Sequence, residues 1–350
     1  MVQIKAWIFK AVPEGYPVPG KDLATESREF DTDNVPEGAV LVKQYYASFD
    51  PYMRGRMRDA SIKSYSPAFD LGEPLTNNVI AKVVKSNRSD LKEGDWVRAF
   101  LPIQEYAIIP KGYPEGMLLK IDNKYNLPVE YFLGPLGMPG LTAFSSFYDI
   151  GQPKKGETIL ISAASGAVGQ LVGQLAKHEG LTVIGSVGSD EKLDFITKEL
   201  GFDAGFNYKK ESPADALKRL APNGIDIYYE NVGGEHLEAA IDALNNFGRI
   251  VACGMISGYN KPVEEHYPIR NLFKFVSKRL TMKGFIVGDK VGQSYAKEHS
   301  EKVQEWLHDG SFKAKISVTD GIDKASEGFV GMLKGENFGK AVLKIADPKE

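Results

Sequence analysis

The chain is predicted to be an α/β protein, a doubly wound parallel sheet inserted into a β-rich domain. Three observations carry that expectation. The first 130 residues hold short β-like runs separated by Pro- and Gly-rich turns. From about 131, apolar runs alternate with segments of helical pattern. The last part of the chain, from about 289, returns to a mixed pattern.

In the first part the runs are VLVKQYYASF, NVIAKVVKS, DWVRAF, EYAIIP and LLKI, punctuated by PEG, KEGD and PKGYPEG. Strands of that length with such turns predict a partly closed barrel. In the second part ETILISAA, LTVIGSV, AGFNY, GIDIYYENV, GRIVACG and RLTMKGFIV read as strands apolar on both faces. Helices are expected between them at Gly166–Glu179, Asp190–Leu200, Pro213–Leu220 and His236–Leu244. Strands alternating with such helices imply right-handed crossovers and an open parallel sheet. The tail shows a helix near Ser294–Leu307, a strand near Ala314–Val318, another helix and then GKAVLKI. The expected division is therefore 1–130, 131–288 and 289–350, with the last segment rejoining the first.

Composition narrows the function. A formal charge of −3 disfavours a nucleic-acid partner, which calls for a basic balance. There is no apolar run of the roughly 18 residues that a membrane span needs. MVQIKAWIFK lacks the apolar core and cleavage site of a signal peptide, so a cytoplasmic protein is expected. Cys253 is the one cysteine, which excludes an intramolecular disulfide and any cysteine-rich zinc site. The histidines show no metal-ligand spacing; His178, His266, His299 and His308 stand in charged contexts and are expected to face solvent. RNLFKFVSKRL repeats Arg270, Lys274 and Lys278 every four residues and reads as a helix with a solvated basic face.

The most informative stretch is ISAASGAVGQLVGQLAKHEG, 161–180. A strand, then Ala164-x-Gly166-x-x-Gly169, then a helix is the dinucleotide fingerprint of a Rossmann unit, with Ala for the first Gly. The chain must reverse tightly, approach a pyrophosphate without a Cβ in the way, and start a helix whose N–H groups meet the anion. Ser165, Ala167 and Val168 share that turn. An NAD enzyme places Asp or Glu at the end of the next strand for the ribose 2′-OH. In VIGSVGSDEK that position holds small residues, with Lys192 just behind, which suits a 2′-phosphate and favours NADP(H). Asp190 and Glu191 fit the first turn of the following helix, where acids complement the dipole.

Taken in order, FDPYMRGRM (49–57), LGMPGLTAF (136–144), AASGAVG (163–169), GSDEK (188–192), FNYK (206–209), YYENVGG (228–234), CGMIS-Y (253–259), GFIV (284–287) and GENFGK (335–340) resemble one family over essentially the whole chain. It is the zinc-independent medium-chain dehydrogenase/reductases, in the branch of prostaglandin reductases, leukotriene dehydrogenases and alkenal double-bond reductases. The resemblance implies a GroES-like substrate domain carrying the inserted Rossmann domain. It implies that Gly188, Lys192 and Tyr208 surround the adenosine 2′-phosphate and that Asn231 contacts the cofactor near its ribose and phosphates. Cys253 would lie beside the cofactor as a packing residue, with Ser257 and Tyr259 in the following turn. The backbone of Phe285, Ile286 and Val287 would meet the nicotinamide carboxamide, and Pro51 and Asn337 would complete the cofactor contacts. Where zinc-dependent relatives hold their metal, this chain has Asp50-Pro51-Tyr52 and Leu75-Thr76-Asn77, so no metal is expected. Relatives often carry a glycine-rich segment where Asn77-Asn78-Val79 stands.

The reaction expected is NADPH-dependent reduction of the α,β carbon–carbon double bond of an enal or enone. It needs hydrogen-bond donors for the charge that develops on oxygen and a proton for the α-carbon. The candidate catalytic hydroxyls are Tyr259, then Tyr52; Tyr65 and Tyr106 are unranked pocket tyrosines. Quinone reduction or secondary-alcohol oxidation on the same scaffold is the alternative, and a non-catalytic NADPH-binding protein a second one. The resemblance further implies a homodimer, with sheets joined near LTMKGFIV.

Overall fold

The computed structural model describes residues 1–114 and 116–348; Glu115, inside the expected PKGYPEG turn, lies outside the described residues. The chain forms two compact units, one of Met1–Leu133 with Ile316–Glu350 and one of Gly134–Lys315.

Along the chain the first unit begins with β1 (Val2–Phe9) and β2 (Leu23–Phe30), an antiparallel ribbon absent from the expected elements. The five expected strands follow: β3 (Val40–Ser48), β4 (Thr76–Ser86), β5 (Trp96–Pro102), β6 (Tyr106–Ile109) and β7 (Leu118–Lys120). A short helix, α1 (Tyr52–Arg56), leaves β3. β1 escapes a periodicity search because five of its last six residues, from Ile4 to Phe9, are buried, with no polar face to alternate against.

The second unit opens with α2 (Met138–Ser146). Its strands are β8 (Thr158–Ile161), β9 (Thr182–Val187), β10 (Ala204–Asn207), β11 (Ile225–Glu230), β12 (Leu244–Ala252) and β13 (Thr281–Gly284). Between them run α3 (Gly169–His178), α4 (Asp190–Asp194), α5 (Pro213–Leu220), α6 (Gly234–Ala243) and α7 (Lys274–Ser277). After β13 come α8 (Lys290–Ser294) and α9 (Ala296–His308). The six strands are parallel and ordered β10-β9-β8-β11-β12-β13. That is the Rossmann order, with its reversal between β8 and β11. The core beneath holds Leu160, Ile184, Phe206, Tyr228, Ala240 and Ile250.

The chain then returns to the first unit as β14 (Ile316–Asp320), α10 (Ala325–Leu333) and β15 (Lys340–Lys344). β15 pairs antiparallel with β3 and parallel with β14, giving a seven-stranded sheet whose path is β14-β15-β3-β4-β5-β7, with β6 beside β3. Trp7, Phe49 and Phe329 meet edge to face at 5.5–5.9 Å and join ribbon, sheet and α10 in one core.

Four expectations need correction. The return falls at Ile316, not near 289, because α9 packs within the second unit: Phe144 of α2 lies against Tyr295, His299 and Trp306. His299 is accordingly buried, its Nε2 2.8 Å from Pro135 O, and does not face solvent. In RNLFKFVSKRL only Lys274–Ser277 is helical, and the faces are reversed. Lys274 pairs with Asp242 and Lys278 Nζ donates to Asp242 O and Leu244 O, while Leu272, Phe273 and Val276 stay exposed. β13, expected to be buried, is a largely exposed edge strand.

Candidate functional site

In the second unit the candidate residues gather at the carboxyl ends of the parallel strands. β8 stops at Ile161, and the chain turns through Ala163, which takes a left-handed φ of +48°. Ala164 N–H donates to Ser186 O at 3.0 Å, tying the turn to β9. α3 then starts so close that a Cβ on Gly169 would stand 2.5 Å from Ala163 O. Glycine is therefore required there for packing. Gly166 N–H closes the turn onto Ala163 O at 2.9 Å. Among the described residues, none accepts from the N–H of Ser165, Ala167 or Val168. Unsatisfied donors at the start of a helix are what a pyrophosphate requires. Ala164, expected in contact with the cofactor, is wholly buried beneath this turn and packs instead against the backbone at Gly169.

β9 ends one residue before Gly188, where a Cβ would stand 3.0 Å from the Tyr208 hydroxyl. Tyr208, just past β10, is 43% exposed and so can reach a ligand. Ser189 caps α4 by accepting from Lys192 N–H. Lys192 is half-buried; burial first, and then Lys209, lower its pKa, so an anion placed here would relieve a cation held at a cost. Asp190, at the start of α4, accepts from Asn207 Nδ2 at 2.9 Å and pairs with Lys210. His236 was not expected here. It is buried between the Phe206 and Tyr208 rings, bonds Ser186 Oγ at 2.7 Å, and is pushed down to about 4 by burial. No sequence signal distinguishes it, since the tertiary fold alone brings α6 under β9 and β10.

At the topological switch Asn231 follows β11. Its N–H donates to Ser162 Oγ and its Nδ2 to Ser162 O, at 2.9 and 2.8 Å. Beneath it, buried Glu230 accepts from Tyr228 Oη and from the N–H groups of Val232 and Gly233, shaping the turn into α6. Burial raises its pKa, and among the described residues its Oε2 has no partner. Cys253 follows β12, and burial pushes its thiol up to about 12, which suits packing and not nucleophilic chemistry. Ser257 Oγ donates to Val232 O at 2.6 Å, joining the turns after β11 and β12. Tyr259 folds back over that turn, its hydroxyl accepting from Met255 N–H at 3.3 Å. Phe285, Ile286 and Val287 follow β13, and the first two line a cleft of about 120 Å³ that also touches Ser145, Ser146 and Ile150.

In the first unit Pro51 and Tyr52 open α1. Tyr52 Oη donates to Asn77 Oδ1 at 2.8 Å, and burial, with Asp50 adding to it, raises its pKa well above the ordinary value. Asn337 Nδ2 donates to Gly339 O in the turn before β15. Asp50, Asn77 and Lys340, all buried, were not among the expected site residues.

These features define a dinucleotide-dependent α/β oxidoreductase with a β-rich companion unit. A family model described as zinc-binding dehydrogenase matches residues 167–305, and one described as the N-terminal domain of oxidoreductase matches 5–116. The chain is 55% identical to NADP-dependent oxidoreductase RED1 of Cochliobolus heterostrophus, over 99% of each chain. It is 43% identical to a 2-alkenal reductase (NADP(+)-dependent) of Nicotiana tabacum, over 99% of this chain and 98% of that one. The crystal structure of CurA in complex with NADPH from Vibrio vulnificus superposes with a TM-score of 0.89 at 36% identity, covering 98% of this chain and 100% of that one. The chain belongs to the medium-chain dehydrogenase/reductase family, in its zinc-independent branch, and is an NADP-dependent oxidoreductase. The zinc in the matching model's description has no ligand set here: among the described residues no three His, Cys, Asp or Glu side chains converge.

Proposed function

We propose that the protein reduces the α,β carbon–carbon double bond of small enals and enones with NADPH. The observation that carries this reading is the row of residues just beyond the strand ends. It starts at the fingerprint turn and runs through Gly188, Tyr208, Asn231 and Cys253 to Phe285, with Tyr259 in the turn after β12. In this reading the N–H groups of Ser165, Ala167 and Val168 hold the pyrophosphate, while Gly166 and Gly169 let the backbone of the turn come close to it. Gly188, Lys192 and Tyr208 take the 2′-phosphate, and Asn231, Cys253, Ser257 and Tyr259 line the ribose side. Phe285, Ile286 and Val287 meet the carboxamide, and Pro51 and Asn337 are proposed as further cofactor contacts.

When bound, NADPH supplies the hydride that reaches the β-carbon. The charge that gathers on the substrate oxygen needs hydroxyl donors, and the α-carbon needs a proton. Tyr259 is the first candidate for that work and Tyr52 the second; the Tyr259 hydroxyl accepts from Met255 N–H, and the Tyr52 hydroxyl donates to Asn77 Oδ1. The names of relatives that reduce 2-alkenals and curcumin support the same chemistry. Two copies are proposed to pair through the outer edge of β13, beside the exposed Leu272, Phe273 and Val276.

The test is NADPH oxidation with crotonaldehyde and, separately, with a benzoquinone, the products identified by mass. Saturated aldehyde is expected from the first. Turnover of the quinone alone, or unsaturated alcohol as product, would overturn the reading.

A further inference from the structure

Lys340 opens β15, and its side chain is 1% exposed. Lysine is among the residues least often buried without a partner. Its ammonium donates to Phe49 O at 2.6 Å and to Asp50 Oδ1 at 2.7 Å. The other Asp50 oxygen accepts from Ser48 Oγ at 2.5 Å and from Asn77 Nδ2 at 2.9 Å. Asn77 is fully buried, and the same Nδ2 donates to Ser48 O at 2.9 Å. Both oxygens on that side demand a donor, so the amide can point only one way. Its oxygen then faces Tyr52, whose hydroxyl donates to it at 2.8 Å.

A buried ion pair of this kind adds little net stability over apolar residues of the same volume, so folding alone does not account for it. What the pair does uniquely is fix a direction. Without the carboxylate only Ser48 O still calls for the NH₂ on that side, so the amide is held less firmly and can turn over to offer its NH₂ to the phenol, reversing which group donates.

We propose that Lys340 is a positioning residue for Tyr52, acting through Asp50 and Asn77 to keep the phenol proton directed at Asn77 and present the phenol oxygen as an acceptor, not as the proton donor. The return strand thereby sets the orientation of a hydroxyl that sits near 290 residues earlier in the chain. The assignment rests on the reading that Tyr52 faces the electrophile.

Replacing Lys340 alone strands a buried carboxylate and can unfold the unit. The informative variant is the double change K340M/D50L, which replaces the pair by apolar side chains. It should be measured with Tyr52 present and in a Y52F background, for kcat/KM with crotonaldehyde and for NADPH affinity. With Tyr52 present, kcat/KM should fall about tenfold; in the Y52F background the further loss should stay under about twofold, the non-additivity of residues acting through one another. NADPH affinity should not move. Equal losses in both backgrounds, or no loss in either, would overturn the role of Lys340 while leaving the double-bond reading intact. If Y52F alone leaves kcat/KM unchanged, the placement of Tyr52 at the electrophile fails and the positioning role fails with it.

Discussion

Lys192 and His236 show how single side chains are tuned by what lies around them. Lys192 is half-buried, and burial first, then Lys209, lowers its pKa while Glu191 raises it, so an incoming phosphate would favour its charged form. Lys192→Gln should weaken NADPH binding by about tenfold to a hundredfold, the worth of a hydrogen bond to a charged group, and leave NADH binding nearly unchanged. Titration calorimetry with both cofactors checks it. His236 is neutral in the folded protein, lowered from 6.5 to about 4 by burial. Between those values the unfolded chain binds a proton that the folded one refuses. Stability from this residue is therefore intact above pH 6.5, declines as pH falls, and is lost below about 4, by roughly 3 kcal/mol in all. Urea midpoints measured from pH 7 to 4 should fall less steeply for His236→Gln than for the native chain.

At the scale of elements, the glycines of the fingerprint divide their work. Gly169 lets α3 meet β8, since a Cβ there would stand 2.5 Å from Ala163 O and 2.8 Å from Ala164 Cα. Gly169→Ala should cost about 1–3 kcal/mol, the range for overpacking a tight contact, and should also weaken NADPH binding by displacing the helix start. Thermal melts with and without NADPH measure both effects. The strand–turn–helix geometry here was legible in the sequence because its requirements are local, although the burial of Ala164 was not. The buried strand β1 was not legible, and neither was the direction of RNLFKFVSKRL. There Asp242 on α6 takes Lys274, and no local pattern announces a partner thirty residues away.

For the whole molecule, the outward apolar residues Leu272, Phe273 and Val276 and the unpaired edge of β13 predict self-association. Sedimentation should find a dimer, and Phe273→Asp should shift it to monomer without loss of secondary structure. A monomeric native chain would reject the pairing. Among the described residues no helix is long and apolar enough to cross a membrane.

The sequence by itself determined the alternation of strands and helices, the dinucleotide turn and the preference for a 2′-phosphate. Each follows from periodicity, glycine geometry or the charge at one strand end, and each lies within a short window of chain. Only the tertiary structure decided that His299 is buried, that α9 belongs with the parallel sheet, and that Lys340 meets Asp50. Those outcomes depend on which distant surfaces exclude water together, and that is a property of the packed chain that neighbouring residues do not encode.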